Sequence, residues 1–310
     1  MKLKPGLWLL GLVLGGGVHA LFGFTRPSQS LVLHSAAVLV KDQTTGELLF
    51  QKDAEEALPI ASITKLVTAM VVLDAHLDQS EVITVEEGDK DQLRHSRSHL
   101  PVGTRLTRGQ ALLVALMASE NRAANALGRT YPGGLGAFVP AMNAKAKNLG
   151  LSESRFEDPA GLSSGNVASA RDLAKLVEAA YGYQEIRSFT TRDDAPIVSG
   201  RRTIVFHNTN RLVRNPNWQI GLSKTGFIDE AGRCLVMQAQ VARRPVVMVL
   251  LDSQGKLTRF GDATRIKDWM EGGTPVVRGH RCQARSQSRR QVRTQGRTLV
   301  RKGRRRSRRG

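Results

Sequence analysis

Strand-type runs stand at both ends of the apolar part of this 310-residue chain and helix-type runs fill its middle, which leaves few ways to fold it. Leu31-Val32-Leu33 through Ala36-Ala37-Val38-Leu39-Val40, then Leu48-Leu49-Phe50, read as two strands around a turn containing Asp42 and Gly46. Strands return at Thr203 to Phe206, Leu235 to Val241 and Val246 to Leu251, the last two joined through Arg243-Arg244-Pro245. Between them a helical region runs from Ser62 to about Tyr181, with Leu173, Leu176 and Val177 on one face of a segment after Ser169. A closing helix is expected from Thr264 to Met270. The pattern predicts an α+β fold: one antiparallel β-sheet assembled from both ends of the chain, flanked by helices, with a helical insertion between its strands.

Three short motifs fall on three different kinds of segment. Ser62-Ile63-Thr64-Lys65 opens the apolar run Leu66, Val67, Ala69, Met70, Val71 and Leu73, so Ser62 is expected in a first helical turn. A serine hydroxyl is a poor nucleophile until a base takes its proton, and an amine three residues on lies on the same helix face. That lysine must be neutral to act, through burial or a nearby positive charge, for which Lys224 is the candidate. Ser119-Glu120-Asn121 follows the apolar helix Ala111 to Ala118, where a hydroxyl can relay a proton and an amide can hold a peptide backbone. Lys224-Thr225-Gly226 is expected at the start of an edge strand, where an ammonium and a hydroxyl suit a carboxylate and Gly226 admits a ligand close to the backbone. Each motif alone fits a helix cap or a turn; their order and separations of 57 and 105 residues carry the weight.

Together these residues resemble the three-motif signature of the penicillin-binding protein and serine β-lactamase superfamily. Asp158-Pro159-Ala160-Gly161-Leu162-Ser163-Ser164-Gly165-Asn166, Ala168 to Leu173 and His207-Asn208-Thr209-Asn210 are similar to the low-molecular-mass D-alanyl-D-alanine peptidases. Gly221 through Met237 and Gly255-Lys256-Leu257-Thr258 look most like the periplasmic D-alanyl-D-alanine endopeptidase branch, over roughly residues 30 to 272. The resemblance implies a β-lactamase/transpeptidase-like fold with the site in a cleft between sheet and helices. It implies Ser62 as nucleophile, Lys65 as base and Ser119 as relay, with Asn121, Lys224, Thr225 and Gly226 binding substrate. The backbone N–H groups of Ser62 and Phe227 would form the oxyanion hole.

The implied substrate is a peptidoglycan peptide, cut at the D-Ala to meso-diaminopimelate cross-link, with β-lactams as covalent inhibitors and no cofactor or metal. A D-alanyl-D-alanine carboxypeptidase shares the same clamp and stays the alternative, with a non-catalytic wall-binding protein a third class. Nothing after Met270 reads as the separate β-rich domain of many related carboxypeptidases, which favours the endopeptidase. A β-lactamase needs a further base for deacylation, and Glu157 lacks the expected Leu-Asn context.

Composition divides the chain into three parts: 1–20, 21–277 and 278–310. Met1-Lys2-Leu3-Lys4, the apolar run Leu7 to Leu14 and Val18-His19-Ala20 read as a signal peptide cut after Ala20, with a membrane anchor as the other reading. This places the mature protein in the periplasm, free or held at the membrane surface. The formal net charge of +19 is unevenly spread: 278–310 holds 14 basic and no acidic residues, the leader two basic ones, and 30 basic face 27 acidic residues in between. The tail has too few apolar residues to fold alone and suits anionic lipid, lipopolysaccharide or murein as a partner. Nucleic acid is not expected, since no aromatic residue interleaves the arginines. Cys234 is expected buried and Cys282 free.

Overall fold

The computed structural model describes residues 31–272; the leader 1–20, the Arg-rich tail and Cys282 lie outside the described residues. The chain enters as β1 (Ser35–Asp42), β2 (Leu48–Lys52) and β3 (Leu58–Pro59), then α1 (Lys65–Asp74), β4 (Val82–Thr84) and β5 (Arg105–Thr107). Next come α2 (Arg108–Met117), α3 (Asn121–Arg129), α4 (Gly134–Asn148), β6 (Val167–Ala168), α5 (Ala170–Tyr181) and α6 (Gln184–Thr191). It closes through β7 (Asp194–Ser199), β8 (Arg202–His207), β9 (Gln219–Ile228), β10 (Gly232–Val241), β11 (Arg244–Ser253) and α7 (Thr258–Met270).

The main sheet has the order β2-β1-β11-β10-β9 with every neighbour antiparallel, so the first strands meet the last ones, Val38 opposite Leu250 and Leu39 opposite Val249. Side chains alternate between its two faces and both are covered, which is why β10 and β11 are apolar at successive positions. Val236, Val247, Val249 and Leu251 face the larger core with Leu173, Leu176 and Val177 of α5. Leu235, Met237, Met248 and Leu250 face the smaller one with Phe260, Ala263 and Ile266 of α7. Asp262 of α7 is fully buried and accepts from the Ser35 backbone N–H at 2.7 Å and its hydroxyl at 2.6 Å, fixing the end of β1.

The α+β fold predicted from the pattern is the one observed, with local departures. Leu31-Val32-Leu33 precede β1 rather than forming part of it. The helical middle is broken by the small β4–β5 ribbon and by a loop from Lys90 to Thr104. Thr203 to Phe206 is a strand, but it pairs with β7 in a separate hairpin outside the main sheet. The last helix begins at Thr258, six residues earlier than its expected start at Thr264. Among the described residues no helix is long and apolar enough to cross a membrane.

Candidate active site

Ser62 sits in a 3-10 turn, Ala61–Thr64, that runs directly into α1, so the serine lies one turn before the buried helix rather than inside it. Ala61 has φ of 47°, a left-handed conformation that non-glycine residues seldom adopt and that aims the next residue out of the turn. Lys65, the first residue of α1, is buried, and its Nζ lies 2.7 Å from Ser62 Oγ, 2.8 Å from Asn121 Oδ1 and 2.5 Å from the Ala160 carbonyl oxygen. Removing one proton leaves two N–H groups for Asn121 and Ala160 and a lone pair for the serine hydroxyl.

Burial drives the Lys65 amine down to about 7, against the opposing pull of the negative charges on Asp158, Glu120 and Asp91. Of the two lowering influences read from the sequence, burial acts at Lys65 and a charge on Lys224 does not. Lys224 is itself buried and held well below the usual lysine range, first by desolvation, then by repulsion from Lys65 and Arg259.

Asn121 starts α3 and Ser119 lies in the bend between α2 and α3, with φ of 61°. That strained bend turns the Ser119 hydroxyl to Lys224 Nζ at 2.9 Å. Lys224 is in the middle of β9, not at the start of a strand as expected, and β9 is an edge of the main sheet. The strand begins at Gln219 because its early residues pair with Gln238 to Gln240 of β10. Lys224 also donates to the Thr225 carbonyl, at 3.0 Å, and Thr225 Oγ1 donates to Thr209 Oγ1 at 2.7 Å. A Cβ on Gly226 would lie 2.7 Å from the Ile60 carbonyl oxygen and 3.3 Å from the Ser62 nitrogen, so only glycine lets β9 approach the nucleophile this closely. Phe227 follows, half exposed, under the guanidinium of Arg233 at 4.2 Å from its ring centroid. Hydrogen bonds join Lys65 to Ser62 and Asn121 and Lys224 to Ser119, Gly226 brings β9 against the Ser62 turn, and Ser62, Asn121 and Phe227 line the cleft.

The sequence missed several partners. The Ala160 carbonyl belongs to a loop tied by Asp158, which accepts from the backbone N–H groups of Ala160, Gly161, Leu162 and Ser163 and from Asn166 Nδ2. Gly161 has φ of 78°, and a Cβ there would stand 2.0 Å from the Ala61 carbonyl oxygen. Ser96 accepts from Asn121 Nδ2 at 2.9 Å. Arg259, from α7, is buried, with Nε and Nη1 unpaired among the described residues, and burial lowers it to about 10. The Asp158 loop was visible as a turn-rich, family-like segment, whereas Ser96 and Arg259 carry no local signal. Glu157 engages Arg155 and Ser163 rather than Ser62. Cys234 is buried and forms no disulfide among the described residues, its thiol pushed up to about 11 by burial. A cavity of about 220 Å³ at the cleft is lined by Ser62, Arg94, Asn121, Leu162, Phe227 and Asp229 among others.

A serine bonded to a buried lysine, with a second serine bonded to a buried lysine of the edge strand β9, suits a serine acyl-transfer enzyme of the penicillin-binding fold. A family profile described as D-alanyl-D-alanine carboxypeptidase matches residues 24–255, and the chain belongs to that family of serine D-Ala-D-Ala peptidases. It is 46% identical to the D-alanyl-D-alanine endopeptidase of Pseudomonas aeruginosa over 78% of each chain. With the D-alanyl-D-alanine endopeptidase of Escherichia coli it shares 44% identity over 80% of this chain and 81% of that one. Among solved structures it resembles the Streptomyces K15 DD-transpeptidase, with a TM-score of 0.73 and 28% identity over 79% of this chain and 99% of that one.

Proposed function

We propose that this protein is a periplasmic D,D-endopeptidase that cleaves D-Ala to meso-diaminopimelate cross-links of peptidoglycan through an acyl-enzyme. The observation that carries the reading is the contact of 2.7 Å between Ser62 Oγ and a buried Lys65 amine whose pKa is lowered to about 7. Ser62 Oγ attacks the D-Ala carbonyl carbon while Lys65 takes its proton, and the oxyanion faces the backbone N–H groups of Ser62 and Phe227. The C–N bond then breaks, and the departing amine receives its proton through Ser119. Water, deprotonated by the same lysine, attacks the ester carbonyl and releases Ser62. Asn121 orients the peptide backbone, and Lys224 with Thr225 holds the carboxylate beyond the scissile bond. A bound carboxylate restores the charge that burial suppresses at Lys224.

The endopeptidase reading is supported by the two relatives at 46% and 44% identity that carry that name, against a family described by its carboxypeptidase activity. β-Lactams are expected to acylate Ser62, because their strained amide mimics the same dipeptide. Digestion of purified cross-linked muropeptide dimers beside a free pentapeptide tests the reading. Conversion of dimers to monomers is expected, and release of terminal D-Ala with dimers intact overturns it. Ser62→Ala is expected to abolish both dimer cleavage and labelling by fluorescent penicillin.

The segment 1–20 is read as a cleaved signal peptide and 278–310 as a cationic extension that holds the enzyme to anionic lipid, lipopolysaccharide or murein.

A further inference from the structure

Lys224 and Thr225 occupy one end of the cleft along β9, and Gly226 passes Ser62, so a peptide whose carboxylate is held at the clamp must leave on its acyl side past Phe227, Ile228 and Asp229. With a rise of about 3.3 Å per residue, Asp229 is about 13 Å beyond Thr225. The cavity of about 220 Å³ lies on that side. One of the side chains that line it ties its walls together. Arg94, from the loop between β4 and β5, donates through Nε to the Leu162 carbonyl at 2.5 Å, and its Nη2 pairs with Glu230 at 2.8 Å. Leu162 belongs to the Asp158 loop and Glu230 to the turn between β9 and β10, so one guanidinium joins three walls of the cleft.

The two ends of this strap differ in strength. On the helical side Arg94 is fixed: Asp91 Oδ1 accepts from the Leu93 and Arg94 N–H groups and Oδ2 from that of Ser96, which in turn holds Asn121. On the sheet side Glu230 is about half exposed and stands on a short turn, where its hold on Arg94 is a solvent-screened ion pair. That is the end that can release.

We propose that Arg94 and Glu230 set which acyl-side chains the enzyme accepts: with the pair closed, only a short acyl group fits the cavity, and a longer chain enters by parting Arg94 from Glu230. The proposal rests on the acyl-enzyme reading above and adds to it a selection by length. It makes the pair a specificity element and not part of the reacting groups.

The test compares acylation of the full mature chain by benzylpenicillin with that by a penicillin bearing a long uncharged arm on its acylamino group, in the wild type and in Glu230→Gln. In the wild type the long-armed compound reacts more slowly. Glu230→Gln is expected to raise its rate about two- to fivefold, the range set by a half-exposed ion pair, and to leave benzylpenicillin unchanged. Raising salt from about 0.05 M to about 1 M is expected to mimic the substitution in the wild type and to have no further effect in the variant. Equal rates for both compounds in the wild type, or an equal change of both in Glu230→Gln, overturns the gate. If neither compound labels the wild type, the acyl-enzyme reading itself falls and the gate with it.

Discussion

At the scale of single residues, the proposed chemistry turns on a lysine that the fold places under tension between burial and its hydrogen bonds. Three acceptors surround Lys65 Nζ, which favours the ammonium, yet desolvation outweighs them and brings the pKa to about 7. The rate constant for acylation by benzylpenicillin is therefore expected to climb about tenfold per pH unit below 7 and to level off above it. Stopped-flow acylation across pH 5 to about 9 checks this, and a flat profile would exclude Lys65 as the base. Lys65→Arg, whose side chain keeps its proton throughout, is expected to leave no acylation at any pH. The same shift has a sign in stability. Between about 7 and 10.5 the unfolded chain binds more protons than the folded one, so the penalty of burying Lys65 is full below about 7 and fades as pH rises. The difference in Tm between Lys65→Met and wild type is accordingly expected to move in favour of wild type from pH 7 to 10, read by thermal melts.

At the scale of elements, the site works because loops of unlike origin are clamped at fixed distances. Gly161 shows how little room remains: φ of 78° and a virtual Cβ 2.0 Å from the Ala61 carbonyl mean that Gly161→Ala must displace either the Ala160 carbonyl or the turn carrying Ser62. It is expected to cost about 2–4 kcal/mol of stability and to slow acylation at least about tenfold, measured by melts and penicillin labelling. Asp262 offers the contrast. It ties β1 to α7 on the far side of the sheet, so Asp262→Ala is expected to cost about 3 kcal/mol, or about 6–12 °C in Tm, with unchanged acylation per folded molecule.

The difference between these positions also explains what the sequence could reveal. Ser62 and Lys65 were legible because a single helical turn, here the 3-10 turn that leads into α1, makes three-residue spacing a spatial contact, and the five-stranded sheet was legible because apolar runs at both ends need one another. The Ala160 carbonyl was not, since a main-chain atom has no letter of its own, and Arg259 was not, since nothing in Leu257-Thr258-Arg259-Phe260 marks it as buried. The start of α7 was hidden by Gly261, which lowers helix propensity where packing of Phe260 and Ala263 overrides it. Thr203 to Phe206 looks like any strand; its partner in β7 rather than the main sheet is a long-range choice.

At the scale of the whole molecule, the net charge is concentrated in 278–310, outside the part of the chain that holds the proposed site. Residues 21–277 hold 30 basic and 27 acidic residues, while 278–310 holds 14 basic residues and none that are acidic. If the tail tethers the enzyme as proposed, it does so through summed, screened attractions, so its hold should weaken steeply with salt and should not depend on the serine site. A chain ending at residue 277 is therefore expected to label with penicillin at the wild-type rate. It should also lose the full chain's co-sedimentation with isolated sacculi, lipopolysaccharide aggregates or anionic vesicles at about 0.05 M salt. Raising salt to about 0.5 M should release the full chain to the same level, and whichever of the three surfaces it leaves last is the one that holds it. Equal sedimentation of the two chains at low salt would show that the arginines do not tether the enzyme, and slower labelling of the short chain would show that they reach the cleft.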